Sequence, residues 1–377
     1  MSESPLVIVG LSGGVDSAVA AWRLMEAGYR VEGLHMTNWE ADDAYCTRVD
    51  DEASAAAAAD HLGITLHRVN FAREYRQQVF DDFLAEYRAG RTPNPDVLCN
   101  RYIKFGVFLD WARRLGADAI ATGHYARTGD IAGKPALLAA HDTAKDQTYF
   151  LHAISNAALE RTLFPLGDFT KPEVRDLARR IGLPNFDRAD STGICFIGER
   201  PFRDFLAEYL PPEPGPIEDT AGDTLGEHPG LHFYTLGQRG GLGIGGRQNA
   251  EDSPWYVVDK DFARKALIVA QDAVHPRLLS TALQADRVHW IAGEPPPVPA
   301  TVQVRVRYRQ HPVAATLEHV GDTLSLRFDE PVRAITPGQY AVVYAGDVCL
   351  GGGRIITHDT LASAGKNLNF SQDGFQA

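Results

Sequence analysis

The chain has 377 residues, of which 44% are hydrophobic and 23% charged, a composition typical of globular proteins with two or three domains. This composition excludes a wholly disordered chain, and the 35 glycines and 22 prolines show no collagen-like period, which excludes a fibrous one. The formal net charge of -12 excludes nucleic-acid binding through bulk charge, so that RNA binding would need a local basic patch.

The compartment is predicted from the apolar runs and the cysteines. No apolar run approaches the ~20 residues of a membrane helix, and no basic segment precedes the short run from Leu6 to Val9, as it would in a signal peptide. The four cysteines stand far apart, with no C-x-x-C pair, which argues against a zinc site and a secreted disulfide scaffold. We therefore expect a cytoplasmic protein without a membrane partner.

The N-terminal third alternates strand and helix patterns. Strands are predicted at 6–9, 31–36, 64–69 and 119–121, and helices at 18–26, 53–61, 71–87 and 105–115. Alternation at this spacing implies a doubly wound parallel sheet, and thus an α/β fold.

The pattern changes after the proline-rich segment from Pro211 to Pro216, which is predicted to be a stiff linker or boundary. Short β-like runs separated by turns follow it. Val302, Val304 and Val306 alternate with polar residues, as in an antiparallel strand with one wet face. The C-terminal part is therefore predicted to be a small β-barrel or sandwich.

A glycine-rich loop follows the first strand directly and precedes a helix. Its residues are Gly10, Leu11, Ser12, Gly13, Gly14, Val15, Asp16 and Ser17. Glycines allow backbone N–H groups to turn toward a phosphate, the two serines add hydroxyl donors, and the helix N-terminus adds a partial positive charge. Asp16 suits such a site through Mg²⁺, for which it is the expected ligand. The plain alternative is a glycine turn that caps a helix.

This loop resembles the PP-loop of N-type ATP pyrophosphatases, in which ATP is split between its α and β phosphates. The resemblance implies that ATP binds here, with Met36 at the end of the second strand and Gly123 after a later strand on either side of the nucleotide.

The four cysteines differ in the residues that surround them in sequence. Cys99 is expected near a helix N-terminus that begins after Pro93 and Pro95, with Arg101 and Lys104 close in sequence, which would lower the pKa of the thiol. An inert thiol at a helix start explains this segment equally well. Cys195 lies among glycines and apolar residues, where a buried inert cysteine is the simpler interpretation of the segment alone. Cys46 and Cys349 have no supporting features.

Nearly the whole chain resembles the tRNA-specific 2-thiouridylases (the MnmA/TrmU family). The motifs that carry the resemblance are residues 10–17, Asn38-Trp39, Asn94-Pro95-Asp96, Cys99-Asn100, Gly123-His124-Tyr125, Lys145-Asp146-Gln147, Gly193-Ile194-Cys195-Phe196, residues 234–239 and residues 305–308. The resemblance implies a PP-loop catalytic domain at 1–200, a central β-rich domain at 201–276, a C-terminal β-barrel that binds tRNA at 277–361, and a mobile tail at 362–377.

The family's chemistry is ATP-dependent thiolation of the wobble uridine. By resemblance, ATP adenylates the C2 oxygen, Cys195 carries sulfur as a persulfide, and Cys99 is the nucleophile that releases or resolves it. Asp96 is implied as an acid/base, and Asn94, Pro95 and Asp96 are implied to receive a uridine flipped out of the anticodon. The implied partners are the tRNAs for Lys, Glu and Gln and a persulfide donor, either a cysteine desulfurase or a sulfur-relay protein.

The RNA surface is predicted from a basic stretch in the C-terminal part. Arg305, Arg307 and Arg309 alternate with apolar residues, which predicts three guanidinium groups on one strand face, with Tyr308 on the other. A solvated sheet face is an equal alternative. By resemblance, tRNA contacts are expected at Arg307, Tyr308, His124, Lys145, Asp146, Gln147 and Gln339.

Three hypotheses follow. The first is an ATP-dependent tRNA-uridine 2-sulfurtransferase with Mg²⁺. The second is a PP-loop small-molecule ligase, like GMP synthetase or argininosuccinate synthetase, which would need neither a cysteine pair nor a basic β-domain. The third is a non-catalytic RNA-binding protein, which would not need Asp16 and the phosphate loop.

Overall fold

A computed structural model describes residues 4–40, 48–189, 201–244 and 253–363. Its strands are β1 (Leu6–Gly10), β2 (Arg30–Thr37), β3 (Leu66–Asn70), β4 (Ala119–Ala121), β5 (Arg127–Ile131), β6 (Lys134–Leu138), β7 (Thr162–Leu163), β8 (Gly215–Glu218), β9 (Thr224–His228), β10 (Tyr256–Asp261), β11 (Ala266–Ala270), β12 (Leu279–Trp290), β13 (Ala300–Arg305), β14 (Val313–Val320), β15 (Leu324–Arg333), β16 (Tyr340–Ala345) and β17 (Val348–Thr360).

The helices are α1 (Val15–Glu26), α2 (Arg48–Leu62), α3 (Ala72–Tyr75), α4 (Asp81–Arg88), α5 (Pro95–Leu98), α6 (Phe108–Arg114), α7 (Thr148–Leu151), α8 (Asn156–Leu159), α9 (Lys171–Arg180) and α10 (Phe202–Ala207). Two π-helical segments, Arg76–Phe80 and Cys99–Val107, join α3 to α4 and α5 to α6. None of the helices in the described ranges is both long and apolar enough to cross a membrane.

The N-terminal part is built on a five-stranded parallel sheet in the order β3-β2-β1-β4-β7, which confirms the predicted α/β fold. β1 is buried along its whole length, as its unbroken apolar sequence requires. The chain moves outward from β1 to β2 and β3 on one side, then returns to β4 on the other. The topological switch point therefore lies between β1 and β4, and ligands of such sheets bind at the carboxyl ends of those strands.

The helix that carries Cys99 begins earlier than the sequence predicts. The prediction that the helix begins only after Pro93 and Pro95 is wrong, because Pro95 is itself the first residue of α5. Proline suits that position, since the N–H it lacks would have no helical acceptor. One continuous helical stretch then runs from Pro95 to Arg114, and Cys99 is its fifth residue.

The C-terminal strands form a closed barrel in the order β12-β15-β14-β13-β16-β17, in which β12 also pairs with β17. Val302, Val304 and Val306 face its apolar interior, as their alternation predicts. The hairpin β5–β6 of the N-terminal part extends this sheet through pairing of β6 with β17. A separate four-stranded sheet, in the order β10-β11-β8-β9, forms the central part.

The predicted row of three arginines on one strand face is wrong. β13 ends at Arg305, because the Val306 N–H donates to the Gln310 side chain (2.9 Å) and the chain turns. Arg305 itself reaches inward to Asp146 (2.6 Å), in an ion pair that is largely buried. Arg305 pairs with Asp146, and Arg307 donates to the carbonyls of Leu236 and Ala334, so both arginines serve contacts between parts of the protein.

Candidate active site

The glycine-rich loop leaves β1 at the switch point and leads into α1. Gly14 is the N-cap residue of α1, and no side chain caps that helix. The first backbone N–H groups of a helix have no acceptor within it, so they can bind an anion. Ser17 Oγ donates to the Gly14 carbonyl (3.0 Å) and lies 3.3 Å from Ser12 Oγ. The two hydroxyls thus lie beside the helix N-terminus, as a phosphate site requires.

The peptide at Gly13 is held in one orientation. The Gly13 carbonyl accepts hydrogen bonds from Ser54 Oγ (2.7 Å), Asn185 Nδ2 (2.9 Å) and Arg188 Nη1 (3.2 Å). Gly13 has a φ of +86°, and an added Cβ would lie 2.4 Å from the Asp51 carbonyl oxygen. Only glycine therefore fits this turn, and the anchored carbonyl fixes the course of the loop.

The remaining predicted nucleotide residues lie near the ends of β1 and β2 and at the start of α1. Leu11 is buried, its N–H donates to the Leu34 carbonyl (2.8 Å), and its own carbonyl is 2.9 Å from His35 Nδ1. Gly10 is the last residue of β1 and Met36 the next-to-last of the neighbouring β2, and a Cβ on Gly10 would meet the Met36 methyl at 3.5 Å. Val15 begins α1 and is buried.

Gly123 permits the loop after β4 to approach α1 closely. It follows β4, and a Cβ there would lie 2.7 Å from the Ser17 backbone nitrogen and 2.8 Å from the Asp16 carbonyl carbon. A side chain would therefore push the loop after β4 away from the first turn of α1. Gly123 sets the width of the cleft at the switch point.

Asp16 has two partners that sequence reasoning missed. The Lys171 ammonium lies 2.7 and 2.8 Å from the two Asp16 carboxylate oxygens, and the Tyr125 hydroxyl donates to one of them (3.0 Å). The signal for Lys171 was its position as the first residue of α9, just after the capping residue Thr170. A cation at a helix N-terminus is electrostatically unfavourable, so an anion was to be expected nearby.

The donor set at Asp16 fits Mg²⁺ that arrives with a nucleotide. The described residues contain no group of three or more His, Cys, Asp or Glu side chains that could hold a metal ion. Mg²⁺ commonly binds one or two protein carboxylates together with substrate phosphates and water. Asp16, whose side chain is 30% exposed, provides one such carboxylate beside the phosphate loop.

The loop that contains Asn94 is fixed by the barrel. Gln339 Nε2 donates to the carbonyls of Thr92 (2.8 Å) and Pro93 (3.2 Å), and the Thr92 N–H donates to the Pro337 carbonyl (2.9 Å). Asn94 is the N-cap residue of α5, although its side chain does not cap the helix. In the structure, Gln339 therefore positions the loop from which α5 starts.

Asp96 and His124 share a cation. Burial raises the pKa of the Asp96 carboxyl, and the nearby Lys104 ammonium partly offsets that rise. The Lys104 nitrogen is 3.4 Å from His124 Nε2, and His124 Nδ1 is 2.8 Å from the Thr122 hydroxyl. Burial, with Lys104, holds the pKa of His124 well below its usual value, so the imidazole is neutral. A neutral ring can accept a hydrogen bond from the Lys104 ammonium at Nε2.

Cys99 is buried on the helix that begins at Pro95, at the start of the π-helical segment. The adjacent Asn100 is buried too, and its Nδ2 donates to the Phe150 carbonyl (3.1 Å). Lys104 follows Cys99 by five residues in the same segment. Cys195 and Cys46 lie outside the described residues. Cys349 is also buried, and burial raises the pKa of its thiol, as an inert cysteine requires.

Residues 145–147, which are expected to contact tRNA, differ in their burial and in their hydrogen-bond partners. Asp146 is buried, and its carboxylate accepts from Arg305 (2.6 Å) and the Thr148 hydroxyl (2.8 Å). The Gln147 side chain accepts from the Tyr125 N–H (2.9 Å), and Lys145 is half-buried in the same loop. A contact of these residues with tRNA stays a prediction.

Arg307 and Tyr308 lie in the turn after β13. Arg307 Nη2 donates to the carbonyls of Leu236 (2.9 Å) and Ala334 (3.1 Å), so that it joins the central part to the barrel. Tyr308 packs against Phe150, with ring centroids 4.4 Å apart. Tyr308 thus lies beside the loop of residues 145–147 rather than with the barrel valines, and its predicted tRNA contact is also untested.

Family models match the three parts of the chain. A model described as the tRNA methyl transferase HUP domain matches residues 5–199, the tRNA methyl transferase PRC-barrel domain matches 203–271, and the aminomethyltransferase beta-barrel domain matches 280–355. The tRNA-specific 2-thiouridylase MnmA of Alkalilimnicola ehrlichii is 58% identical over 95% of this chain and 99% of its own length. The chain belongs to the tRNA-specific 2-thiouridylase family.

Further relatives of the same name are similarly close. That of Chromohalobacter salexigens is 57% identical over 93% of this chain and 92% of its own length, and that of Salmonella typhimurium is 55% identical over 94% and 98%. Among solved structures, the U34-tRNA thiolase NcsA from Methanococcus maripaludis is 20% identical, covers 56% of this chain and 68% of its own, and has a TM-score of 0.35. Membership of an enzyme family of matching length sets aside the small-molecule ligase and the non-catalytic RNA-binding hypotheses.

Proposed function

We propose that this protein is an ATP-dependent tRNA-uridine 2-sulfurtransferase, which converts the wobble uridine of the tRNAs for Lys, Glu and Gln to 2-thiouridine. The proposal includes Mg²⁺, a cytoplasmic location, and sulfur supplied as a persulfide by a cysteine desulfurase or a relay protein. The domain division at residues 200, 276 and 361 belongs to it as well. Support comes from the family and from the way two loops meet in the structure.

The observation that carries the proposal is the dipeptide Gly123-His124. Gly123 touches the backbone of Asp16 and Ser17, at the phosphate loop. The next residue, His124, lies 3.4 Å from Lys104, on the helical stretch that contains Asp96 and Cys99. One dipeptide therefore bridges the proposed ATP site and the proposed thiol site. Activation of an oxygen and its replacement by sulfur need these two sites side by side.

The first chemical step is adenylation. The uridine C2 oxygen attacks the α-phosphorus of ATP, and the bond to the pyrophosphate oxygen breaks, with its electron pair leaving on pyrophosphate. The N-terminus of α1, with Ser12 and Ser17, would bind the leaving group. Mg²⁺ on Asp16 would supply charge neutralisation at the phosphates.

Asp96 is proposed to remove the uridine N3 proton. Loss of that proton places negative charge on the C2 oxygen and makes it a better nucleophile. A carboxylate whose pKa is raised is a stronger base than that of an ordinary aspartate. Asn94 and Pro95 would contact the flipped uridine at the start of α5.

Sulfur transfer follows at the activated carbon. The terminal sulfur of a Cys195 persulfide attacks C2, and the C2–O bond breaks with AMP leaving. The Cys99 thiolate then attacks Cys195 Sγ, so that the sulfur–sulfur bond breaks and its electron pair remains on the sulfur at C2. The products are 2-thiouridine and a Cys99–Cys195 disulfide, which a thiol reductant restores. Alternatively, Cys99 attacks the persulfide first, and the released hydrosulfide attacks C2.

The direct test is mass spectrometry of tRNA nucleosides after incubation with enzyme, ATP, Mg²⁺ and a persulfide donor. We expect 2-thiouridine at the wobble position and one AMP released for each uridine converted. AMP release without 2-thiouridine would refute sulfur transfer, and a product found with ATP omitted would refute activation by adenylation.

A pH prediction tests Asp96. Thiolation is expected to fall as the pH is lowered through the Asp96 pKa, and this limb should lie above the ~3.9 of an ordinary aspartate, because burial raises the pKa. Lys104 lowers that pKa, so Lys104→Met should move the limb to higher pH, whereas Lys104→Arg should leave it in place. Asp96→Asn should lose roughly 10²–10⁴-fold in rate. A limb that Lys104→Met does not move would remove Asp96 from the role of base.

A salt-dependence prediction tests Arg307. Each phosphate contact contributes ~0.7–0.9 to the slope of log K against log salt, so Arg307→Ala should lower the slope for tRNA by about that amount. The matched control is Arg327→Ala, which removes an exposed charge elsewhere on the barrel. A lower melting temperature with an unchanged slope would show that Arg307 serves only its contacts with Leu236 and Ala334.

A further inference from the structure

We propose that Lys171 is an exchangeable counter-ion: its ammonium neutralises Asp16 in the nucleotide-free enzyme and passes to the pyrophosphate moiety of ATP when Mg²⁺ takes its place on Asp16. The inference rests on the proposed ATP-dependent reaction, and it adds a residue and an order of events to it.

The geometry of the pair is the first argument. The Lys171 nitrogen lies 2.7 and 2.8 Å from the two oxygens of the Asp16 carboxylate, so the ammonium stands where a cation bound by both oxygens would stand. The Tyr125 hydroxyl donates to one of the same oxygens (3.0 Å). A metal ion that uses this carboxylate in the same way must displace the ammonium.

The placement of Lys171 in the fold is the second argument. Its side chain is 9% exposed, although it is the first residue of α9, where the helix dipole is unfavourable to a cation. The neighbouring Asp142 carboxylate accepts the Lys171 backbone N–H (2.9 Å), which fixes the backbone at the start of α9. Charged side chains held in electrostatically unfavourable surroundings are common at functional sites.

The phosphate loop supplies the other end of the exchange. Asp16 lies in the first turn of α1, beside the uncapped helix N-terminus and the hydroxyls of Ser12 and Ser17. Phosphates bound there would stand next to the Asp16 carboxylate. When Mg²⁺ binds that carboxylate, the ammonium displaced from it would stand beside the phosphate chain. A lysine that follows the phosphates would neutralise charge on pyrophosphate as the bond to the α-phosphorus breaks.

The exchange predicts opposite changes for two ligands in one variant. Lys171→Met leaves the Asp16 carboxylate without its ammonium, so the nucleotide-free variant should bind Mn²⁺, a spectroscopic probe for Mg²⁺, more tightly than the wild type. The same variant should bind inorganic pyrophosphate with Mg²⁺, and ATP with Mg²⁺, roughly 10- to 100-fold more weakly, the effect expected of one hydrogen bond between charged groups. AMP has no β or γ phosphate, and its affinity should not change.

The experiment measures Mn²⁺ by electron paramagnetic resonance and the three phosphate ligands by calorimetry, in full-length wild type, Lys171→Met, Lys171→Arg and Arg179→Met. Lys171→Arg retains the charge and should recover most of the pyrophosphate affinity. Arg179 belongs to an exposed ion pair on the same helix and is the matched control, with no change expected. Melting temperatures show whether each variant is folded.

Two results would overturn the inference. Equal losses for AMP and pyrophosphate would show that Lys171 only supports the shape of the site, and unchanged Mn²⁺ binding in Lys171→Met would show that the ammonium does not occupy the cation position. Failure of the proposed function is a different result, in which wild-type enzyme binds ATP with no dependence on Mg²⁺ or makes no 2-thiouridine.

Discussion

Cys99→Ser is expected to abolish transfer of sulfur to tRNA while ATP and tRNA still bind. A hydroxyl of ordinary pKa is neither ionised near pH 7 nor able to attack a sulfur–sulfur bond, so the persulfide on Cys195 could not be resolved. Loading the variant with radiolabelled sulfur from a desulfurase should leave the label bound to the protein, either as the Cys195 persulfide or in an unresolved disulfide between Cys195 and the tRNA sulfur, and should release no labelled 2-thiouridine tRNA. Cys195→Ser should carry no transferable label, because a hydroxyl cannot hold sulfane sulfur.

The matched control for this prediction is Cys349→Ser. Cys349 is as buried as Cys99, but it packs in the barrel near Thr148, and burial raises the pKa of its thiol. We expect close to normal thiolation from this variant. Label that accumulates on Cys195→Ser but not on Cys99→Ser would reverse the two roles. Normal transfer by both variants would refute the cysteine mechanism and leave only the ATP-dependent half of the proposal.

The sequence predicts the placement of the glycine-rich loop between a strand and a helix well because its residues are contiguous. The loop from Gly10 to Ser17 follows an apolar strand and precedes a helix, and strand-to-helix junctions of parallel sheets have one geometry. The residues that face the barrel interior can be predicted equally well, since Val302, Val304 and Val306 alternate with polar residues at the period of a strand. Both the loop and the barrel strand are determined by the order of residues that are close together in the sequence.

Contacts between distant residues account for what the sequence did not predict. Lys171 meets Asp16 across 155 positions, and no local pattern in either segment specifies the partner. Arg305 and Asp146 were both assigned to the RNA surface, yet they neutralise each other inside the protein, because a buried charge needs an opposite one. A basic residue in a strand pattern therefore predicts a charge but not its partner.

The start of the Cys99 helix shows a second kind of limit. Proline disfavours helix interiors but suits the first helical position, so the same residue is evidence for a helix or against it according to where the helix begins. Pro95 is the first residue of α5, the position that suits proline. The carbonyls of Thr92 and Pro93, just before it, accept hydrogen bonds from Gln339 of the barrel. The tertiary contact decides the boundary.

Asp16→Asn is expected to lose AMP release by on the order of 10²–10³-fold or more, the scale of a preorganised charge at a phosphoryl group, while tRNA binding stays nearly normal. The amide retains the size of the side chain but not the charge that Mg²⁺ needs. Tritiated or radiolabelled ATP, with tRNA present, gives the rate of AMP formation, and filter binding gives the tRNA affinity. Asp110→Asn, an exposed change on α6, is the matched control.

The structure adds a stability test to this prediction. Asp16→Asn removes the carboxylate that pairs with the buried Lys171 ammonium, which should lower the melting temperature, since breaking a largely buried ion pair from one side is destabilising. The double variant Asp16→Asn with Lys171→Met removes both charges and should recover much of that stability. It should still release no AMP, because neither a ligand for Mg²⁺ nor a counter-ion for pyrophosphate is present. Recovery of AMP release together with stability would show that Asp16 serves the fold alone, and that the metal is bound elsewhere.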